Sequence, residues 1–159
     1  MTAYGYQVLC DELNNLKEVE RSNIVKEIDI ARSYGDLKEN AEYHAAKDKQ
    51  LFIEARIAEL GEMLLNAQVI DPSELAHDKV SFGSTVKILN LDTDKETTYT
   101  IVGGIESDPS RGLISFGSPI AKSLLGKTEG DEVTIRLPNG ESEFEILEVC
   151  YKPIVFGEK

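Results

Sequence analysis

The chain has 159 residues, enough for one ordinary domain or two small ones. It carries 29 acidic against 17 basic residues, a formal charge of −12, so bare nucleic acid repels it, because phosphate contacts need Lys and Arg. A nucleic-acid role therefore needs local basic patches or a partner protein that itself holds the nucleic acid.

From the N-terminus, Met1 to Leu16 has no apolar core, because Asp11, Glu12, Asn14 and Asn15 interrupt it; this argues against a secretory signal. Residues 6–34 contain no Pro, and no Gly before Gly35 ends that run. Leu9, Leu13 and Leu16 step by four and three, and Ile24, Ile28 and Ala31 repeat the step after a gap near Glu20. This is the stripe of an amphipathic helix with an interruption in its middle. A second helix is expected from about Leu37 to about Ala67, with Ile53, Ile57, Leu60, Leu64 and Ala67 as a heptad seam. Closer to the turn the seam is read as small residues, Ala41, Ala45 and Ala46, which makes the hairpin thin at its tip. The short connection makes the two helices antiparallel neighbours. Each has roughly 30 residues and is on the order of 45 Å long.

Asp71-Pro72-Ser73-Glu74 opens a connection that ends at Phe82-Gly83-Ser84. Beyond it the period changes to two, and strands are expected at 85–91, 97–102, 113–116, 132–137 and 143–149. Pro138-Asn139-Gly140 marks a hairpin between the last two. Ser118, Pro119 and Gly126 read as N-cap, first helical position and stop of a short helix. The fold class is thus α+β: an N-terminal antiparallel two-helix coiled coil over residues 1–75, then a small antiparallel sheet domain with a short helix over 80–159. No apolar run approaches the roughly 20 residues of a membrane span. Cys10 and Cys150 lie far apart without metal-ligand or redox spacing, and are expected as reduced thiols in a cytoplasmic protein.

The turn between the helices carries two carboxylates, Asp36 and Glu39. Their spacing fits a capping box, with Asp36 as N-cap of the second helix and Gly35 as the stop of the first. The same pair offers two hard oxygen donors at the end of a rod. Mg²⁺ takes only one or two carboxylates and keeps several waters, so such a pair can complete a site whose other ligands come from a second protein. Both readings stand, because one oxygen can cap while another faces outward.

Ala31-Arg32 followed by Gly35-Asp36-Leu37-Lys38-Glu39-Asn40-Ala41-Glu42-Tyr43 resembles the signature of the Gre transcript cleavage factors of bacteria. Ser115-Phe116-Gly117-Ser118-Pro119-Ile120-Ala121-Lys122-Ser123-Leu124-Leu125-Gly126, with Gly130-Asp131 beyond it, resembles the family's C-terminal signature, and Asn66-Ala67-Gln68-Val69-Ile70-Asp71 also fits. One departure is Arg21-Ser22, where family members often have Arg-Pro; it puts a local bend in doubt. The resemblance covers nearly the whole chain. It implies a transcription elongation factor whose hairpin enters the secondary channel of RNA polymerase. There Asp36 and Glu39 help hold an active-site Mg²⁺ at a backtracked RNA 3′ end, and the polymerase cleaves its own transcript. The factor then has no cofactor or chemistry of its own, acts as a monomer and has no membrane role.

Arg32, Lys38, Lys47 and Lys49 gather near the tip. Helix-surface pairing explains them, as does contact with RNA phosphates; the resemblance supports RNA proximity for Arg32 and Lys47. Tyr43 could stack on a base or pack across the hairpin, and His44 reads as a surface residue. The resemblance makes Ser118, Pro119 and Ile120 a polymerase-docking loop, with Ile120 as an exposed anchor. It also implies an FKBP-like fold for the C-terminal domain, but fold is not activity, and the few aromatics there argue against a prolyl pocket. The rival readings are an inhibitory channel-binding regulator of the same architecture, a prolyl isomerase with a helical appendage, and a plain coiled-coil adaptor.

Overall fold

A computed structural model describes residues 1–35, 40–138 and 140–156. The chain forms two compact units: Tyr6–Ala67, and Met1–Gly5 together with Gln68–Lys159.

The first unit is the helical hairpin. Its ascending arm consists of α1 (Ala3–Asn15), a π-helical segment (Leu16–Glu20) and α2 (Arg21–Arg32); the returning arm is α3 (Ala41–Leu65). The π segment explains the interruption in the stripe. A π turn accommodates one extra residue, so the step of eight from Leu16 to Ile24 does the work of a heptad and returns Ile24 to the seam. Ile24, Ile28, Ala46, Ile53 and Ile57 form the buried seam, with Leu13, Leu16 and Tyr43 packed against it. Near the turn the seam differs from the expected run of alanines. Ala46 is buried, whereas Ala41 and Ala45 are exposed, and the Tyr43 ring occupies the interface instead. Tyr43 and Ala46, three apart in α3, lie on its seam-facing side.

Cross-helix pairs set the register. Arg21 donates twice to Glu54 at 2.8 and 2.9 Å, and Lys49 lies 3.5 Å from Glu27. These pairings run in opposite directions along the two helices, as antiparallel packing requires. Arg56 donates to Glu12 at 2.8 and 3.1 Å and to Glu59 at 2.9 Å. Exposed pairs of this kind add at most about 1 kcal/mol each; their fork geometry chiefly selects one alignment of a seam that repeats every turn.

The second unit is a five-stranded sheet in the order β3-β2-β1-β5-β4, with β1 Thr85–Asn90, β2 Glu96–Val102, β3 Leu113–Ser115, β4 Glu132–Leu137 and β5 Gly140–Cys150. All neighbours are antiparallel except β3, which runs parallel to β2. The expected small antiparallel sheet is thus present, with the short β3 added in parallel at its edge. The connection 103–112 is long enough to carry the chain back, through a 3-10 turn at Pro109–Arg111, before β3 begins. Gly112 closes it at φ 74°, where a Cβ would stand 2.8 Å from the Thr98 carbonyl oxygen. On β5 the buried residues are Phe144, Ile146 and Val149, a step of two and then three. The register shift against β1 between Lys87 and Ile88 absorbs the odd residue and keeps Val149 on the core face. The short helix α4 (Pro119–Leu124) covers that face with Ala121 and Leu124, both fully buried. The turn residue Asn139 lies outside the described residues.

Met1–Gly5 is tied into this unit. The Met1 ammonium donates to the Gln68 carbonyl at 3.0 Å, and Ile70 N donates to the Met1 carbonyl at 2.9 Å. Thr2 donates from its backbone N at 2.5 Å and its hydroxyl at 2.6 Å to one oxygen of Glu106. Among the described residues no helix is long and apolar enough to cross a membrane.

Candidate functional site

The closed end of the hairpin is built from two helix termini. α2 unwinds through Ser33, whose N and Oγ both donate to the Ile30 carbonyl at 3.1 and 2.5 Å, and through Tyr34 N, which donates to the Ala31 carbonyl at 3.2 Å. Gly35 N donates to the Arg32 carbonyl at 3.3 Å. Gly35 has φ 110°, a value that a side chain rarely tolerates. The candidate residues Asp36 and Glu39, with Leu37 and Lys38 between them, lie outside the described residues.

The chain re-enters at Asn40, which has extended backbone (φ −85°, ψ 95°) and is the N-cap of α3. Its Oδ1 accepts from Tyr43 N at 3.0 Å. Its Nδ2 donates to the Ala31 carbonyl in the last turn of α2 at 2.5 Å. The partners are a backbone donor on one side and a backbone acceptor on the other, so the orientation of the carboxamide is unambiguous. The N-cap of α3 is therefore Asn40, four residues beyond the Asp36 expected in that role. Asn is as good an N-cap as Asp, and the Asp36–Glu39 spacing of a capping box points to Asp36 in the sequence. Asn40 is the residue that sequence reasoning missed.

The Arg32 guanidinium lies over the Tyr43 ring, 6.0 Å from its centroid, at the outer limit of a cation–π contact. Tyr43 is half-buried against the seam and meets His44 edge-on at 5.7 Å. Lys47, one turn along, donates to Gln50 at 3.3 Å, while Lys49 faces Glu27 across the hairpin. The structure thus brings Arg32 and Tyr43 together and spends Lys49 on the helix interface. Among the described residues no group of three or more His, Cys, Asp or Glu side chains is arranged to hold a metal ion.

In the sheet unit, Ser118 caps α4, its Oγ accepting from Ala121 N at 3.2 Å, and Pro119 follows at the first helical position, exposed. Ile120 differs from expectation: it is half-buried and packs against the sheet core. The exposed apolar side chain of this loop is Phe116, 49% accessible, whose ring meets Phe82 edge-on at 6.1 Å. Its place at a strand end concealed this, because an alternating pattern does not say which face the last residue takes.

His77 sits between Ser84 Oγ and the Pro72 carbonyl, each at 2.6 Å, with its ring stacked on Tyr151. A serine beside a histidine suggests a nucleophile, but Ser84 is fully buried. The pair is a structural tie to the Pro72 turn.

Residues 1–69 match the model described as transcription elongation factor, N-terminal, and residues 75–151 match transcription elongation factor, GreA/GreB, C-term. Transcription elongation factor GreA of Helicobacter pylori (strain Shi470) is 73% identical over 158 residues, covering 99% of this chain and 96% of the relative. Its counterpart from Helicobacter hepaticus is 76% identical over 156 residues, covering 98% and 96%. Among solved structures, GreA factor homolog 1 (Gfh1) of Thermus thermophilus aligns over 94% of this chain and 97% of its own at 25% identity and a TM-score of 0.42. A GreA/GreB factor from Nitrosomonas europaea aligns over 60% and 79% at 32% identity and a TM-score of 0.44. With both halves matched in order and near-complete coverage by relatives this similar, the chain belongs to the GreA/GreB family of transcription elongation factors.

Proposed function

We propose that this elongation factor acts on RNA polymerase by presenting Asp36 and Glu39 to the polymerase active centre and stimulating cleavage of backtracked RNA. The observation that carries the reading is the cap at Asn40. Helix α3 takes its capping oxygen from Asn40, so the acids at the turn are not needed to start that helix. Two carboxylates are a hard-oxygen donor set that suits Mg²⁺, and two alone are too few for a tight site, so the remaining ligands come from the polymerase. Bound there, the metal supplies charge neutralisation at the phosphodiester and a more acidic water.

The factor's own residues bind, orient and supply negative charge; the bond is broken in the partner's active site, and the chain activates an enzyme rather than being one. On this reading Arg32 and Lys47 would meet the phosphates of the RNA 3′ end, with the Tyr43 ring beneath the Arg32 guanidinium. Phe116, Ser118 and Pro119 form the docking loop at the channel rim, with Ile120 setting the loop from beneath rather than anchoring it.

Asp36→Asn removes one charge and leaves the Asn40 cap untouched. Half-saturation of the polymerase should stay near wild type, while stimulated cleavage of a backtracked complex should fall on the order of a hundredfold, the upper range for lost support of a metal site. Wild-type cleavage would sink the catalytic reading of Asp36.

A further inference from the structure

We propose that the side of the hairpin carrying Ile30, Glu42 and Phe52 is a contact surface for the polymerase protein, one that receives a basic side chain and sets affinity rather than the cleavage step. This rests on the reading, given above, that the factor acts on RNA polymerase.

A groove of about 360 Å³ runs between α2 and α3. Its floor is made of methyl groups: Ala31 and Ala46 are buried, with Ala45 exposed beside them. Ile30 lines it from the α2 side with 57% of its surface exposed. Glu27 and Lys49, 3.5 Å apart, meet across it, and Glu42 lines it from the first turn of α3. Ala45, Lys49 and Phe52 follow one another at steps of four and three, so Phe52 continues the same side of α3. Phe52 is 71% exposed. Along the rod, Ile30 and Phe52 thus lie on opposite sides of the Glu27–Lys49 pair. Neither belongs to the buried seam, so the folding of the hairpin gives no reason for a large apolar side chain at either place. Single exposed apolar residues are ordinary, but two on one side of a rod with an apolar groove between its helices form a surface.

Charge selects the occupant. Residues 6–67 carry 13 acidic against 8 basic side chains. Within the groove Lys49 is engaged by Glu27, and Glu42 adds a further carboxylate at the rim. Such a rim repels a phosphate backbone. An enzyme that holds nucleic acid presents Lys and Arg, and these side chains lay an aliphatic stem on apolar surface while the charged head reaches a carboxylate. The groove therefore suits a protein side chain rather than RNA. Ile30 and Phe52 carry no polar atom for the cleavage chemistry, so their contribution falls on binding.

The test compares the full-length wild-type factor with Ile30→Gln/Phe52→Gln and with Glu42→Lys. Binding is measured to RNA polymerase free of nucleic acid, and cleavage in a backtracked complex. Gln is a good helix former and exposed positions tolerate polar substitution, so circular dichroism and thermal melting should match wild type. The double variant should bind free polymerase on the order of tenfold more weakly, the scale of an important interface side chain, yet reach maximal cleavage within about twofold of wild type when in excess. Glu42→Lys should weaken binding at low salt, and the difference from wild type should shrink as salt rises. Wild-type affinity in both variants overturns the proposal. So does weakened binding that appears only when backtracked RNA is present, which assigns the surface to RNA. Lost helicity that matches the lost binding also overturns it, because the role is then structural. If the wild-type factor itself does not bind polymerase, the reading of the factor as acting on that enzyme fails as well. That result is distinct from failure of this surface alone, in which wild type and variants bind equally.

Discussion

Glu106 has 4% of its surface exposed and receives both Thr2 hydrogen bonds on one oxygen, while its other oxygen is buried without a partner among the described residues. The carboxylate lies between two glycines: a Cβ on Gly5 would stand 2.2 Å from one oxygen and a Cβ on Gly103 2.2 Å from the other. Nothing in the local pattern around Glu106 marks it, because a lone acid in a loop looks like solvated surface. Glu106→Ala strands the Thr2 amide and hydroxyl, and should cost about 2–3 kcal/mol in urea unfolding. Gly5→Ala pushes on the same carboxylate and should cost about 1–3 kcal/mol. The two should combine to less than their sum, because each removes the same contact. Full additivity would show that Gly5 is conserving something other than room for Glu106.

At the scale of the element, the ascending arm of the hairpin carries one residue more than a continuous α-helix could place on the seam. The π segment absorbs it. Val19 lies in that segment with its side chain exposed at 46%. Deleting Val19 should convert the arm to uninterrupted α-helix, with Leu16 and the residue that was Ile24 a regular seven apart. Thermal unfolding should change little. Deleting Lys26 lies beyond the correction and rotates Ile28 and Ala31 off the seam relative to Ile24. With Ile burial worth about 1.5–3 kcal/mol per side chain, the hairpin should melt at a clearly lower temperature. Equal melting of the two deletions would refute the compensating role of the π turn. The interruption near Glu20 was legible as a gap in the stripe, but its cause was not, since spacing alone does not distinguish a kink from an inserted residue. The parallel entry of β3 was hidden for a similar reason. A three-residue strand carries no direction in its pattern, and the turn that aims it is set by Gly112 against the Thr98 carbonyl.

At the scale of the molecule, the charge of −12 is a statement about partners. The basic groups at the tip are few, and Lys49 is engaged by Glu27. Free single-stranded RNA should therefore not bind at protein concentrations up to about 100 μM in physiological salt, the weak end of non-specific binding, as read by fluorescence anisotropy. Micromolar binding would contradict the reading that the polymerase holds the RNA and the factor meets only its end. The two units also divide the work differently from a simple cut along the chain, since Met1–Gly5 is bound into the sheet unit through Gln68, Ile70 and Glu106.

The sequence by itself determined the α+β class, the long hairpin with its heptad seam, the five strands and short helix, and the family, because these rest on periodicity and on long ordered signatures that local residues carry. Only the tertiary structure decided what happens where distant backbone groups meet. Asn40 rather than Asp36 caps α3, and its amide also reaches the Ala31 carbonyl, nine residues back. Ile120 turns inward because the sheet core is there to receive it, leaving Phe116 outside. A stretch of sequence states which groups can donate, accept or be buried; which of them does so depends on what the fold brings alongside.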